Sequence, residues 1–237
     1  MRTLQRNWMR YAMGALLIQA LPGCDRAPAP PPVEASPAGA STLPARPSGP
    51  ERLVVAFGDS LYAGYGLGRG ESLPDDVQAR LRAAGINAEV VNAGVSGDTT
   101  AAGRQRLAFV LDNLPRKPDL VMLGLGGNDV LRQIPPAETR ANLAAMLTEL
   151  RQRDIPVVLT GMRAPPNLGA DYQRAFDRIW PDLAKQHGAA LDPFILEGVI
   201  GDPALMQADR VHPTREGVRI IADRVTPLIA DAVAARR

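Results

Sequence analysis

Few side chains in this 237-residue chain are suited to covalent or metal chemistry: Cys24 is its single cysteine, and His187 and His212 are its only histidines. One cysteine excludes an intrachain disulfide and a thiolate metal site, and two histidines exclude a His-rich zinc site, while a carboxylate-bound Mg²⁺ or Ca²⁺ stays open. Phe57-Gly58-Asp59-Ser60-Leu61 follows a short apolar run. A serine beside glycine where a strand turns into a loop can expose its hydroxyl above a sheet, as a nucleophile requires, although the same residues also suit a serine cap. Two other stretches share that setting, Asn92-Ala93-Gly94-Val95-Ser96-Gly97-Asp98-Thr99 and Gly126-Gly127-Asn128-Asp129, while Asp209-Arg210-Val211-His212-Pro213 stands immediately before the last helical segment. Singly, Gly97 reads as a loop glycine, Asn128 as a turn residue and Asp209 as a solvated carboxylate. Asp59, Asp98 and Asp129 read as loop-organising acceptors. His187 ends a helical segment, where a cationic or hydrogen-bonding side chain is favoured, and no carboxylate stands three residues before it.

The elements that must position these residues alternate. Strands are expected at Leu53–Phe57, Ala88–Val91, Leu120–Leu125, Pro156–Thr160 and Ala189–Asp192, several of them near-continuous apolar runs of the kind buried on both faces. Helices are expected near Leu73–Ala84, Ala101–Asn113, Ala137–Arg153 and Ala170–His187, with a last one from about Thr214. Leu143, Met146, Leu147 and Leu150 give the third the clearest helical spacing. Five β/α units predict a doubly wound α/β domain whose ligand crevice is lined by the loops after the strand C-termini. The serine stretch and both glycine-rich stretches fall on that side. Gly66-Leu67-Gly68-Arg69-Gly70 does not join a strand to a helix in a dinucleotide-binding pattern and reads as a mobile loop. No solenoid-type repeat is present.

In order and context, the four stretches resemble the blocks of the SGNH (GDSL) hydrolase family, specifically its thioesterase, lysophospholipase and arylesterase branch, from about Leu53 to the last helix. The resemblance implies a three-layer α/β/α, flavodoxin-like fold with about five parallel strands. It also implies Ser60 as nucleophile, His212 as general base and Asp209 as the residue orienting His212. The backbone N–H groups of Ser60 and Gly97 and the Asn128 amide would form the oxyanion hole. Such a site needs no cofactor and no metal. The residue types suit the chemistry: serine needs a base to take its proton, a carboxylate fixes the imidazole tautomer, and uncharged N–H donors meet the tetrahedral oxyanion. Pro213 is expected to suit entry into the final helix. Tyr62 stands where the α/β-hydrolase elbow has glycine, which separates this chain from that fold.

The N-terminus reads as an address. Three arginines and no acid precede a mostly apolar run, Tyr11 to Leu21, too short to span a bilayer, which ends in Leu21-Pro22-Gly23-Cys24. Residues 1–24 thus read as a signal peptide with a lipoprotein box that lipidates Cys24, the proline being an uncommon variant. Ordinary signal cleavage and a mitochondrial-type leader are the alternatives. Residues 25–50 hold eight prolines and read as a linker, which at ~3.1 Å per residue would reach up to ~80 Å. Residues 51–237 read as the hydrolase domain that the resemblance implies. The net charge of +2 splits into +3 before residue 51 and −1 after it, so the domain has no nucleic-acid footprint. The expected partners are a small acyl ester or lipid substrate, and a membrane through the N-terminal anchor of an exported, periplasmic lipoprotein. An envelope-glycan O-deacetylase and a non-catalytic flavodoxin-like binding module are the competing readings.

Overall fold

The computed structural model describes residues 46–235. The leader, Cys24 and most of the linker lie outside them. Five parallel strands, β1 (Arg52–Gly58), β2 (Ala88–Gly94), β3 (Leu120–Gly124), β4 (Val157–Thr160) and β5 (Ala190–Asp192), form one sheet in the order β2-β1-β3-β4-β5. This is the flavodoxin-like order, which reverses direction after the first β/α unit. Central β1 and β3 are apolar and buried almost throughout, whereas edge strand β2 is only partly buried.

Helices α1 (Ser60–Ala63) and α2 (Leu73–Ala83) lead from β1 to β2, and α3 (Thr100–Asp112) leads on to β3. Next come α4 (Gly127–Leu131) and α5 (Pro136–Gln152), then α6 (Ala170–Asp177) and α7 (Ile179–His187), and finally α8 (Arg215–Ala234). Right-handed crossovers in this strand order place α2 on one face and α3, α5 and α7 on the other, and α8, which follows the last strand, lies on the α2 face. Accordingly α2 packs on α8, α3 on α5, and α5 on α7. Side-chain caps set several helix starts: Ser72 and Asp75 form a capping box at α2, while Thr99 and Thr214 cap α3 and α8.

All five expected strands are present, β2 running three residues further than its apolar run. The helix expected over Ala170–His187 is divided at Arg178. Pro181 explains the break, since it has no N–H to give the Asp177 carbonyl four residues earlier. Pro213 does not open α8: Thr214 is the N-cap, Arg215 the first helical residue, and Pro213 stands before both.

Candidate active site

The loops after the strand C-termini meet over one end of the sheet. Gly58 of β1 lies in register with Gly94 of β2 and Gly124 of β3. A Cβ on any of these glycines would overlap the Tyr62 ring or the Tyr62–Ala63 backbone. The strand ends therefore form a recess that Tyr62 fills: it is 1% exposed, and its hydroxyl lies 2.8 Å from Thr160 Oγ1. Tyr62 thus secures the single turn α1 from below. Asp59 caps that turn, its Oδ1 accepting the Leu61 N–H at 3.0 Å, and Ser60 becomes its first residue.

His212 reaches Ser60 from 152 residues away, with Nε2 2.8 Å from the Ser60 Oγ. Its Nδ1 lies 2.6 Å from Asp209 Oδ2. The carboxylate can only accept, so Nδ1 carries the proton and Nε2 is left to accept from the serine hydroxyl. Asp209 Oδ1 also accepts the backbone N–H groups of Val211 and His212 at 2.9 and 3.0 Å. The His212 side-chain hydrogen bond first, then these backbone donors, lower the Asp209 pKa to about 2. Burial acts oppositely on Asp59, 2% exposed, and pushes its carboxyl up to about 6.

The three expected oxyanion donors, Ser60, Gly97 and Asn128, line a cavity of about 620 Å³ together with His212. Gly97 lies after β2 at φ +87°, a backbone glycine adopts without penalty, and its carbonyl accepts from Arg132 at 2.9 Å. Asn128 is the second residue of α4; its Nδ2 donates to the Asp98 carbonyl at 2.9 Å, leaving a second N–H for the cavity. The N–H groups of Ser60 and Gly97 have no backbone acceptor among the described residues. The rest of the cavity is mostly apolar, including Leu61, Val130, Met162, Phe194 and Leu196, with Tyr65, Leu131 and Ile200 half-exposed or more at its mouth. Arg224 braces one wall, pairing with the buried Asp192 at 3.0 Å and donating to the carbonyls of Phe194, Ile195 and Glu197.

Asp98 and Asp129 organise the loops. Asp129, fully buried, accepts from the Thr100 N–H and from the hydroxyls of Thr100 and Thr139, fastening α4 to the start of α3. Asp98 pairs with Arg106 at 2.6 Å; Arg106 also donates to the Gly58 carbonyl and lies 3.9 Å over the Phe57 ring. Gln207 ties the serine loop to the histidine loop by donating through Nε2 to the carbonyls of Tyr65 and Pro213. Neither Arg106 nor Gln207 carries a motif signal. In the Gly66–Gly70 stretch the Leu67 N–H donates to the Gly64 carbonyl and the Gly68 N–H to the Glu71 carboxylate. His187 lies away from this cavity; neither ring nitrogen has a partner among the described residues, and burial followed by Arg151 lowers its pKa. Among the described residues, no three His, Cys, Asp or Glu side chains converge as a metal site.

Comparison with known proteins identifies the family. Residues 56–220, from β1 into α8, match the model of the GDSL-like Lipase/Acylhydrolase family. The chain is 40% identical over 178 residues to Esterase TesA of Pseudomonas aeruginosa, covering 75% of this chain and 88% of that protein. It is 36% identical over 170 residues to Thioesterase 1/protease 1/lysophospholipase L1 of Escherichia coli, covering 72% and 79%. Among solved structures, AlinE4, described as an SGNH-hydrolase family esterase, is 56% identical with a TM-score of 0.67, covering 78% of this chain and 98% of that one. From its motif blocks to its strand order, this chain belongs to the GDSL-like lipase/acylhydrolase family, the SGNH hydrolases.

Proposed function

We propose that this hydrolase cleaves carboxylic esters and thioesters of acyl chains through a seryl acyl-enzyme. Ser60 Oγ attacks the acyl carbon while His212 Nε2 takes its proton, and Asp209 holds the imidazole and offsets its positive charge. The tetrahedral oxygen is met by the N–H groups of Ser60 and Gly97 and by the Asn128 amide. Collapse breaks the bond to the leaving oxygen or sulfur, which receives the proton from His212, and a water activated by the same imidazole then releases the acid. The continuous Ser60, His212, Asp209 hydrogen-bond chain at the floor of a largely apolar cavity carries this reading. The cavity suits an acyl chain, and the names esterase, arylesterase and thioesterase/lysophospholipase among the relatives agree.

A fluorophosphonate ester should label the wild-type chain and leave a folded Ser60→Ala variant unlabelled. Equal labelling of the two would remove Ser60 from its role. The enzyme works outside the cytoplasm, in the periplasm, tethered through lipidated Cys24. The apolar run ending in Leu21-Pro22-Gly23-Cys24 and the proline-rich spacer support that location. Cells given a labelled fatty acid should yield labelled wild type and unlabelled Cys24→Ala; an unlabelled wild type would leave an exported enzyme without the anchor.

A further inference from the structure

Among the described residues, three other than glycine have a left-handed backbone: Gln133 at φ 54°, Asp154 at φ 53° and Arg210 at φ 57°. The first two follow the ends of α4 and α5, where the left-handed conformation commonly terminates a helix. Arg210 does not. It lies inside the turn between Asp209 and His212, where a glycine would avoid the clash of Cβ with the backbone. Its N–H donates to the Gln207 carbonyl at 2.9 Å, but its guanidinium makes no hydrogen bond or ion pair among the described residues. The side chain is exposed and lines both the cavity that holds Ser60 and an adjoining one of about 640 Å³. An arginine is therefore kept at a strained position beside the catalytic base without a structural partner, and strain of that kind gathers at functional sites.

The charges around it favour an anion. The first cavity is lined by two guanidinium groups, those of Arg163 and Arg210, and besides His212 and the Tyr65 phenol by one carboxyl group, the buried Asp59. Arg163 is already occupied, 3.5 Å from Glu197 and 5.2 Å over the Phe194 ring. Asp202, which lines the second cavity with Arg210, accepts the Ala204 N–H instead. Position then selects which part of a substrate Arg210 meets. His212 must return a proton to the leaving oxygen, so a side chain two residues from it flanks the leaving group, while the apolar walls take the acyl chain.

We propose that Arg210 is a specificity-determining residue that selects acyl esters whose leaving alcohol carries a phosphate within a few bonds of the scissile oxygen. The proposal rests on the seryl-hydrolase reading above. A guanidinium suits a phosphate better than an ammonium, because its planar donors can engage two oxygens together. A phosphate on a glycerol unit lies within this reach. The phosphates of a coenzyme A thioester are separated from the scissile sulfur by the pantetheine arm.

The test compares wild type, Arg210→Gly and Arg210→Lys in the full chain. Its probes are a 1-acylglycerol 3-phosphate, the 1-acylglycerol with the same acyl chain, and the corresponding acyl coenzyme A. Arg210→Gly relieves the left-handed strain, so its thermal midpoint should match or exceed that of wild type. Its kcat/KM for the phosphate ester relative to the neutral ester should fall about tenfold, the effect of losing one charge-assisted hydrogen bond. Arg210→Lys should retain part of the preference. A ratio within about twofold of wild type in Arg210→Gly would overturn the proposal, as would a fall confined to the coenzyme A thioester. If wild type instead hydrolysed none of the three probes and reacted with no fluorophosphonate, the seryl-hydrolase reading itself would be overturned.

Discussion

Replacing Asn128 separates an oxyanion donor from a residue that only shapes a turn. One Nδ2 hydrogen is committed to the Asp98 carbonyl at 2.9 Å, which fixes the amide and leaves its second N–H for the cavity. A donor held in this way needs little reorganisation when the carbonyl oxygen becomes charged, so its loss should act on the transition state. Asn128→Ala also frees the Asp98 carbonyl next to Gly97. The neighbouring donor should nevertheless stay in place, because Arg106 still holds the Asp98 carboxylate and Arg132 still holds the Gly97 carbonyl. The expected cost is therefore that of one donor, a fall in kcat of about 10²–10³, or roughly 3–4 kcal/mol, with KM changing much less. Asn128→Asp should be at least as harmful, setting an acceptor against both the Asp98 carbonyl and the developing oxyanion. Steady-state kinetics on one activated ester, with folding checked by circular dichroism, would measure both. If kcat stayed within about threefold of wild type in both variants, Asn128 would be a turn residue and nothing more.

Two further changes test the support beneath the serine. Tyr62→Phe leaves the 2% exposed Thr160 hydroxyl without its partner and should cost about 1–3 kcal/mol, which adding Thr160→Val should largely restore; a double variant as unstable as the two singles summed would show that the pair does not interact. Asp59, raised from 3.8 to about 6 by burial, keeps a proton in the fold that the unfolded chain has released. Its contribution to stability is thus lost as pH rises from about 4 to about 6, by up to roughly 3 kcal/mol. Asp59→Asn should gain stability relative to wild type across that interval in paired urea titrations, and an unchanged difference between pH 4 and pH 7 would refute the burial effect.

The strands were legible because each is a short apolar run, and central β1 and β3 are buried on both faces, a local pattern that needs no knowledge of its neighbours. The site blocks were legible for a related reason: Asp209 and His212 are close in sequence, and the Ser60, Gly97 and Asn128 stretches each follow a strand. Single turns escaped. α1 and α4 have four and five residues, too few for a helical period to show. The clamps escaped because their partners are remote: Arg106 reaches Gly58 across 48 residues, and Gln207 reaches Tyr65 across 142. Pro181 was visible, yet its effect depends on the backbone around it. A proline is tolerated in the first turn of α7 while ending the bonding of α6, but Pro227 lies inside the continuous helix α8.

Tyr62 shows how one difference from the α/β-hydrolase elbow alters the way a nucleophile is held. There a glycine two residues after the serine permits a sharp turn; here a large aromatic fills the same place. Its ring needs room, and the space comes from Gly58, Gly94 and Gly124, which stand in register across three parallel strands. A side chain at any of the three would push α1, and Ser60 with it, away from His212 Nε2. The placement of Ser60 thus depends on the floor of the sheet, while that of His212 depends on its own turn and on the Gln207 clamp to the serine loop. Floor and clamp converge on one 2.8 Å contact. Changes in either should therefore impair acylation even where they touch no substrate, because misplacing reacting groups by about 1 Å can cost about 10² in rate.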